Sequence, residues 1–325
     1  MPFKILLLLC LSASFGWDST PYRTLQGQAQ GSTYRIIYED KTSADFSKSI
    51  DSLFQLIDAS MSLWDSNSLI SRINANKNLG PFDAHFEEVF IKSQQISKNT
   101  KGYFDITVGP LVKAWGFSKT KGFASPTDLQ IDSLRKLVNY KNVSLKDGGI
   151  TKKYPEIQLD FNAIAQGYTV DLIAEYLTKK GISNFLIEIG GEVRAKGKNQ
   201  QGEFWKVGVE NPSDENKLQA ILALNDKSLA TSGSYRKFFL KDGKKFSHAI
   251  DPHLGRPVSH NLLSITVLAN DCATADAYAT AFLVMGLEKA KLIAQKQKID
   301  FFAIYEENGK IQTYSSEGFK GAKLD

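Results

Sequence analysis

Apolar residues recur along this chain at two different spacings, which predict where helices and strands lie. Over residues 45–61 and 86–100, apolar side chains are three or four positions apart, as they are on one buried face of a helix. Residues 33–38 alternate in the manner of a strand with one buried face. Further strands are predicted at residues 156–160, 184–189, 206–210, 220–224, 264–268 and 301–305.

Residues that favour helix ends place three more helices. The Ser-Pro pair at the start of residues 125–137 predicts a helix over that range. A helix over residues 165–180 is expected to end at Gly181, and an alanine-rich helix is expected between Asp271 and Gly286. Helices and strands alternate irregularly, which favours an α+β fold over a doubly wound parallel sheet.

The composition is that of an ordinary globular protein with a substantial core. The chain has 325 residues, 42% of them hydrophobic, and a formal net charge of +5. Lys and Arg are scattered among Asp and Glu without a nucleic-acid motif, so a nucleic-acid partner is not expected. Cys10 and Cys272 are the only cysteines, and no H-E-x-x-H motif occurs. Neither a disulfide framework nor a zinc hydrolase site is therefore expected.

The N-terminal segment has the pattern of an export signal. A lysine precedes an apolar run over residues 5–11, which is too short to span a membrane and gives way to small residues. We predict a signal peptide at residues 1–16 and one domain over residues 20–325, in an exported protein of the periplasm or cell envelope. Cys10 leaves a second alternative, lipid attachment and anchoring to the inner membrane. Leu9 favours simple cleavage, because lipoprotein signals usually have a small residue there.

Asp276 and Thr280 are the most informative pair of polar residues. They lie four positions apart on the predicted alanine-rich helix, so they share one face. A carboxylate beside a hydroxyl suits a hard, oxygen-preferring cation such as Mg²⁺. Taken alone, the pair favours a simpler interpretation, a solvated helix face.

Residues 159–171 lead from a predicted strand into a helix whose first amides are free. Such a helix start attracts phosphate through its unpaired N–H groups and its dipole. Asp160 either belongs to a site of this kind or only caps the helix. Gly167 either packs the helix closely against a strand or lets a ligand approach.

Three other segments contain residues suited to binding or to proton transfer. Thr231-Ser-Gly is predicted as a turn that binds a phosphate or caps a neighbouring element. His248, which precedes an Asp-Pro-x-x-Gly turn at residues 251–255, is either catalytic or structural. The aromatic residues over 103–117, together with Trp64, fit either a core or a slot for a planar ring system.

Taken together and in this order, these segments resemble the ApbE family of FAD:protein FMN transferases. The resemblance extends from about residue 30 to residue 286 and depends on five separated motifs. They are Gly-Ser-Thr-Tyr at 31–34; residues 68–74; Phe-Asp-Ile-Thr-Val-Gly-Pro at 104–110 with Trp-Gly-Phe at 115–117; residues 160–171; and Thr-Ser-Gly at 231–233 through His-x-Ile-Asp-Pro at 248–252 to Ala-Asp at 275–276 and Ala-Thr at 279–280.

The resemblance implies a T-fold-like α+β architecture with mixed or antiparallel sheets and packed helices. It also implies an exported, Mg²⁺-dependent enzyme that splits FAD, attaches its FMN half to a Ser or Thr hydroxyl of a target protein, and releases AMP. The expected partners are subunits of membrane redox complexes of the Rnf and Nqr (sodium-pumping quinone reductase) type.

Roles for individual residues also follow from the resemblance. The metal ligands that it implies are Asp276, Thr280 and the backbone carbonyl of Ala163. His248 matches the base that deprotonates the acceptor hydroxyl, which its ordinary pKa of about 6.5 suits. The implied contacts with the flavin nucleotide are Gln30, Trp64, Tyr103, Phe104, Asp105, Asp160, Gln166, Thr231 and Ile250.

Two positions depart from the family pattern and leave alternatives open. Gln30 stands where many members have Met, and Gln166 stands where a Lys is common. Loss of the Lys charge would weaken nucleotide binding or shift the balance from transfer to hydrolysis. One alternative is therefore an FAD pyrophosphatase that releases FMN and AMP. The other is a non-catalytic flavin-binding protein of the envelope.

Overall fold

The computed structural model describes residues 21–40, 43–77, 82–118, 125–146, 148–212, 214–234, 238–241 and 244–324. The predicted export signal at residues 1–16, including Cys10, lies outside the described residues. Across the ranges just given, no helix combines the length and the apolar character needed to cross a membrane.

The helices and strands of the described residues are as follows. The helices are α1 (Ser47–Met61), α2 (Leu69–Asn74), α3 (Ala84–Asn99), α4 (Gly109–Ala114), α5 (Asp128–Arg135), α6 (Ala165–Lys179), α7 (Cys272–Met285), α8 (Leu287–Gln297) and α9 (Glu317–Ala322). The strands are β1 (Tyr22–Ala29), β2 (Ser32–Glu39), β3 (Val143–Lys146), β4 (Gly149–Lys152), β5 (Phe185–Ile189), β6 (Glu192–Lys196), β7 (Trp205–Asn211), β8 (Asp214–Leu224), β9 (Lys227–Gly233), β10 (Phe238–Lys241), β11 (Lys244–Ser247), β12 (Ile250–Asp251), β13 (Arg256–Pro257), β14 (Leu262–Ala269), β15 (Asp300–Glu307), β16 (Lys310–Ser315) and β17 (Lys323–Leu324).

One large antiparallel sheet organises the molecule. Its eight strands lie in the order β1-β2-β5-β6-β9-β14-β15-β16, and every neighbouring pair is antiparallel. A second sheet contains β17, β8 and β7. Helices and antiparallel sheets thus form an α+β fold, which confirms the predicted fold class.

Successive residues of the central strands point to opposite sides of the large sheet, as the period of a strand requires. In β15, Phe301 packs into the cluster that includes α3 and α7, whereas Phe302 packs into the cluster formed with β7, β8 and α9. In β5, Ile187 packs with α1 and α6, and Leu186 packs on the opposite side. The molecule therefore has three layers: helices, the large sheet, and the small sheet with α9.

Most elements predicted from spacing are confirmed, but the segment at residues 156–160 is not a strand. Leu159 pairs with a side chain instead of a neighbouring strand: its N–H donates to Asn74 Oδ1 at 2.7 Å, and its carbonyl accepts from Asn74 Nδ2 at 2.8 Å. Asp160 N donates to Ile106 O at 2.8 Å. Apolar residues do alternate in this segment, but its backbone forms hydrogen bonds with isolated groups rather than with a neighbouring strand.

Two further predictions from local residue types were wrong. Residues 231–233 form the end of β9 and not a turn, because Thr231 lies opposite Thr266 in the antiparallel pair with β14. The helix predicted over residues 125–137 begins at Asp128, where Thr127 caps it reciprocally with Gln130.

Candidate functional site

Helix α7 carries both side chains predicted as metal ligands, and nearly all of its residues are buried. Asp271 Oδ1 accepts a hydrogen bond from Thr274 N at 2.8 Å, so this residue caps the helix as predicted. Gly286, at φ +81°, ends it. The alanine side chains in between allow β9, β14 and α6 to pack closely against it. The face that carries Asp276 and Thr280 is therefore held in a fixed position.

Asp171, on the neighbouring helix α6, also caps α7. Its two carboxylate oxygens accept from Cys272 N and Ala273 N, both at 2.9 Å. Arg194 on β6 donates to the same carboxylate at 2.5 Å. The beginning of α7 is thus fixed by a second helix and by the sheet. The sequence placed Asp171 in a motif, but no local pattern indicated this role.

Gly167 is the point where the backbones of α6 and α7 touch. A Cβ atom at this position would lie 2.4 Å from the carbonyl oxygen of Cys272, closer than atoms pack. Of the two roles predicted for Gly167, close packing is the one observed, although the partner is a helix and not a strand. This contact brings the start of α6 to the face of α7 that carries Asp276.

Asp276 is a buried carboxylate with little to stabilise its charge. Gly167 N, one of the free amides at the start of α6, donates to Asp276 Oδ2 at 3.2 Å. Within the described ranges, no other hydrogen bond to this carboxylate is found. Burial raises the pKa of Asp276 to about 7, and the Gly167 N–H lowers it only in part. A bound cation would supply the missing charge.

Thr280 lies one helical turn beyond Asp276 and meets a hydroxyl from the sheet. Ser232 Oγ on β9 is 3.1 Å from Thr280 Oγ1. Thr231, predicted as a nucleotide contact, has its side chain on the other face of the sheet, where its Oγ1 is 2.9 Å from Thr266 Oγ1. Any contact from Thr231 to a ligand beside α7 would have to use its backbone. Ser232 is the neighbouring hydroxyl that the sequence did not single out.

The turn before α6 contains two further predicted site residues, Asp160 and Ala163. Asp160 is half-buried, burial raises its pKa, and its Oδ1 accepts from Asn162 N at 2.8 Å. This bond is local and does not reach the helix amides, so Asp160 does not cap α6. In the described part of the chain, the carbonyl oxygen of Ala163 accepts no hydrogen bond.

These oxygen atoms fit a hard cation. A carboxylate from Asp276, a hydroxyl from Thr280 and a backbone carbonyl from Ala163 are the ligand types that Mg²⁺ prefers. In the portion of the chain described, no group of three or more His, Cys, Asp or Glu side chains is arranged to hold a metal. A set of oxygen donors like the one predicted would suit magnesium better than zinc.

Gln30 and Gln166, the two departures from the family pattern, both lie near the first turns of α6. Gln30 Nε2 donates to Thr169 Oγ1 at 2.9 Å, and Gln30 Oε1 is buried and has no hydrogen-bond partner among the described residues. The amide of Gln166 packs against Gly190, at φ +62°, where a Cβ would lie 2.7 Å from Gln166 Nε2. The two glutamines thus present neutral amides beside the helix start.

Residues 101–105 form a turn between α3 and α4 that carries three predicted nucleotide contacts. Phe104 is buried in the core, whereas Tyr103 is only half-buried. The carboxylate of Asp105 accepts from Thr107 N at 2.8 Å, Thr107 Oγ1 at 2.6 Å and Tyr140 N at 2.8 Å. Burial raises the pKa of Asp105, and these hydrogen bonds oppose the rise. Asp105 therefore organises this turn, and its contact with a nucleotide stays a prediction.

His248 and Ile250 lie next to each other on a well-supported segment. Ile250 is buried among α4 and α5, and Val258 N donates to Ala249 O at 2.9 Å. The half-buried ring of His248 lies 6.4 Å from the Phe117 ring, centre to centre. Trp64, by contrast, is 57% exposed in the loop after α1. The catalytic and flavin-binding roles of these residues stay predictions.

The chain is similar to known proteins of one family. Residues 30–303 match the model of the ApbE family. The FAD:protein FMN transferase of Vibrio cholerae serotype O1 is 36% identical over 304 residues, which cover 91% of each chain. The FAD:protein FMN transferase of Haemophilus influenzae is 34% identical over 97% of this chain and 96% of its own.

The fold is also shared with a solved structure of known identity. The flavin transferase ApbE from Vibrio cholerae superposes with a TM-score of 0.84 at 32% identity, over 93% of this chain and 99% of that chain. The resemblance that the five sequence motifs indicated is thereby confirmed. This chain belongs to the ApbE family.

Proposed function

We propose that this chain transfers the FMN half of FAD to a Ser or Thr hydroxyl of an acceptor protein, in a reaction that depends on Mg²⁺. Membership of the ApbE family supports the reaction type, and the names of the relatives specify FAD and FMN. The observation that carries the metal-dependent part is Asp276, a buried carboxylate that meets only one N–H donor, from Gly167, within the described residues.

Asp276, Thr280 and the Ala163 carbonyl would hold the cation. When bound, Mg²⁺ neutralises charge on the diphosphate oxygens of FAD during attack. The contribution of the chain is a site that does not have to reorganise. The Asp171 cap fixes α7, and the Gly167 contact fixes α6 against it. At the start of α6, the N–H groups of Ala165, Gly167 and Tyr168 already donate to protein oxygens, so among the described residues Gln166 N is the amide left there for a phosphate group.

His248 is proposed to accept the proton of the acceptor hydroxyl. The hydroxyl oxygen forms a bond to the phosphorus atom of the FMN half, and the bond from that phosphorus to the AMP half breaks. AMP is the leaving group, and the hydroxyl proton passes to the His248 ring. The buried neighbours Ser247 and Ala249 hold the backbone on both sides of His248, which keeps the ring in one place.

We propose further that the protein works outside the cytoplasm on subunits of Rnf- or Nqr-type redox complexes. The signal-like pattern of residues 1–16 supports export, and Cys10 provides a site for lipid attachment and membrane anchoring. Mass spectrometry of the mature N-terminus would test both ideas. A free N-terminus beyond residue 10 would exclude lipidation, and retention of residues 1–16 would exclude signal cleavage.

A transfer assay tests the proposed reaction directly. The protein is incubated with FAD, Mg²⁺ and an acceptor subunit, and flavin fluorescence on the acceptor is measured after denaturation. We expect His248→Ala to lower the transfer rate by about a hundredfold or more with little change in FAD affinity. His260→Ala provides a matched control, because His260 is an exposed histidine outside the proposed site.

The products distinguish the alternatives. Fluorescence that stays on the denatured acceptor, with stoichiometric AMP, supports transfer. Free FMN and AMP without labelled acceptor would identify a pyrophosphatase in which water replaces the hydroxyl. Tight FAD binding without AMP under any metal condition would identify a non-catalytic flavin-binding protein.

A further inference from the structure

His253 joins two turns, one that carries predicted nucleotide contacts and one that directly follows another such contact, Ile250. The turn at residues 251–255 follows Ile250, and its backbone closes through Gly255 N donating to Asp251 O at 2.7 Å. His253 Nε2 lies 3.0 Å from the carbonyl oxygen of Lys101, at the beginning of the 101–105 turn. The two turns are 152 positions apart in sequence at this contact, so nothing in the local sequence indicates it.

The hydrogen-bond partners of His253 determine which protonation state of its ring is compatible with its surroundings. A carbonyl oxygen can only accept, so Nε2 must carry the hydrogen that bonds to Lys101 O. The other nitrogen, Nδ1, lies 3.4 Å from Asp251 Oδ1. In a neutral ring Nδ1 would then point a lone pair at a carboxylate, which is repulsive. In the imidazolium form, both nitrogens donate and the ring bridges the two turns.

The charged and titratable groups around His253 come from three elements. Asp251 belongs to its own turn, while Asp105 from the 101–105 turn adds a longer-range attraction. The Tyr103 ring lies 4.5 Å from the His253 ring, centre to centre. Lys289 from α8 donates to the Tyr103 hydroxyl at 2.5 Å. Tyr103 therefore contacts two basic side chains, His253 and Lys289.

We propose that His253 is a positioning residue for the FAD site, which in its protonated form clamps the 101–105 turn to the 251–255 turn and so sets the place of the Tyr103 ring. This inference rests on the proposed function, because Tyr103 and Ile250 matter for FAD only if the chain binds it. His253 itself touches neither the substrate nor the reacting atoms in this role.

The direction of the pH dependence follows from the ring's surroundings. The hydrogen bond to Asp251 is the largest cause that raises the pKa of His253, and partial burial opposes it. A histidine with a raised pKa contributes its full effect below the ordinary value of about 6.5, and the effect is lost as pH rises through the raised value. The clamp should therefore weaken as the solution becomes alkaline.

The test compares FAD dissociation constants of the native protein and of His253→Gln from about pH 5.5 to about pH 9. Binding is measured by flavin fluorescence without Mg²⁺ and without acceptor, so that FAD is not consumed. At the acid end we expect about fivefold weaker binding by the variant, because a charge-assisted bridge is lost. At the alkaline end the ratio of the two constants should approach one. The value of kcat at saturating FAD should change little.

Two further variants complete the design. His253→Arg keeps a cation at every pH, so the ratio of its FAD dissociation constant to that of the native protein should be lower at the alkaline end than at the acid end. The ratio cancels the titration of Asp276 near pH 7, which both proteins share. His260→Gln, which removes an exposed histidine elsewhere, should bind like the native protein at every pH.

The possible results separate the proposed role of His253 from the proposed function. A His253→Gln ratio that is the same at every pH, or a loss in kcat alone, would overturn the clamp. Native protein that binds FAD without transferring FMN would contradict the proposed function, while the binding curves would still decide for or against the clamp. If the native protein binds no FAD, both proposals fall.

Discussion

Two buried carboxylates contact α7, Asp171 at its beginning and Asp276 in its middle, and they differ in how many hydrogen bonds they receive. At the beginning, Asp171 receives two backbone N–H groups at 2.9 Å and the guanidinium of Arg194. In the middle, Asp276 receives a single N–H group at 3.2 Å. Burial raises the pKa of both carboxyls, but three donors oppose the rise at Asp171, whereas only one does at Asp276 and its pKa reaches about 7.

The difference distinguishes a carboxylate with a structural role from one proposed to bind a ligand, within the same pair of helices. A buried charge that is fully hydrogen-bonded stabilises a particular arrangement, as Asp171 does for α6 and α7. A buried charge that receives few hydrogen bonds destabilises the protein unless a bound ligand compensates it. Asp276 is a charge of this kind. The two carboxylates should therefore respond differently to the same substitution.

The largest effect is expected from Asp276→Asn. Loss of the charge should lower Mg²⁺-dependent AMP release by about a hundredfold or more, since the cation is no longer held. The variant should fold, because the amide has the same shape as the carboxyl group. Thermal unfolding with and without Mg²⁺ is the companion measurement. Full activity, or an unchanged stabilisation by Mg²⁺, would refute the metal assignment.

Asp171→Ala should instead destabilise the protein without regard to metal. Removing it leaves the Cys272 and Ala273 amides buried without this acceptor and takes the carboxylate from the half-buried Arg194, which together costs about 3–5 kcal/mol. Urea unfolding without divalent cations measures this loss. Glu175→Ala, on the exposed side of the same helix, is the control and should be nearly neutral. A similar stability for both variants would show that the cap is unimportant.

A pH series should show the cost of Asp276 in the metal-free protein. Its pKa is near 7 when folded and 3.8 ordinarily, so the folded state holds the proton more tightly. Its contribution to stability is therefore complete below about pH 3.8 and is lost between there and about pH 7, with a slope of at most about 1.4 kcal/mol per pH unit. Native protein should lose stability relative to Asp276→Asn over this window, and Mg²⁺ should reverse the loss. Parallel curves for the two proteins would contradict the assignment.

The smallest effects are expected when the hydroxyl groups of the adjacent β9 residues Ser232 and Thr231 are removed. Ser232→Ala removes the partner of Thr280 and should weaken the apparent Mg²⁺ affinity by roughly tenfold or less. Thr231→Val should leave Mg²⁺ dependence unchanged and lower stability by about 1 kcal/mol, since Thr266 loses its partner. Activity as a function of Mg²⁺ concentration distinguishes them. The reverse pattern would mean that the sheet faces are assigned wrongly.

Features encoded by neighbouring residues could be predicted from the sequence. The Asp271 cap, the alanine-rich run and the Gly286 end gave α7 nearly to the residue. The spacing of four residues between Asp276 and Thr280 was enough to place both side chains on one face of that helix. The α+β class followed from the irregular order of such segments.

Features that depend on distant partners could not be predicted. Which of Thr231 and Ser232 faces α7 depends on the register with β14, which alternation alone does not reveal. Residues 156–160 resembled a strand, but the backbone of Leu159 pairs with the Asn74 side chain, and Asp160 N donates to Ile106 O. The Asp171 cap joins residues 101 and 102 positions apart. Each of these is set by tertiary packing.

Cys272, whose backbone contacts Gly167, also has a side chain that can be used to probe the packing of α7. The Cys272 thiol is fully buried, burial raises its pKa well above the ordinary range, and its Sγ lies 3.6 Å from Val193 O. A thiolate-directed reagent therefore cannot reach or activate it until the packing around the start of α7 opens. After signal cleavage it would be the sole cysteine. The rate of its alkylation would then report how often this packing opens.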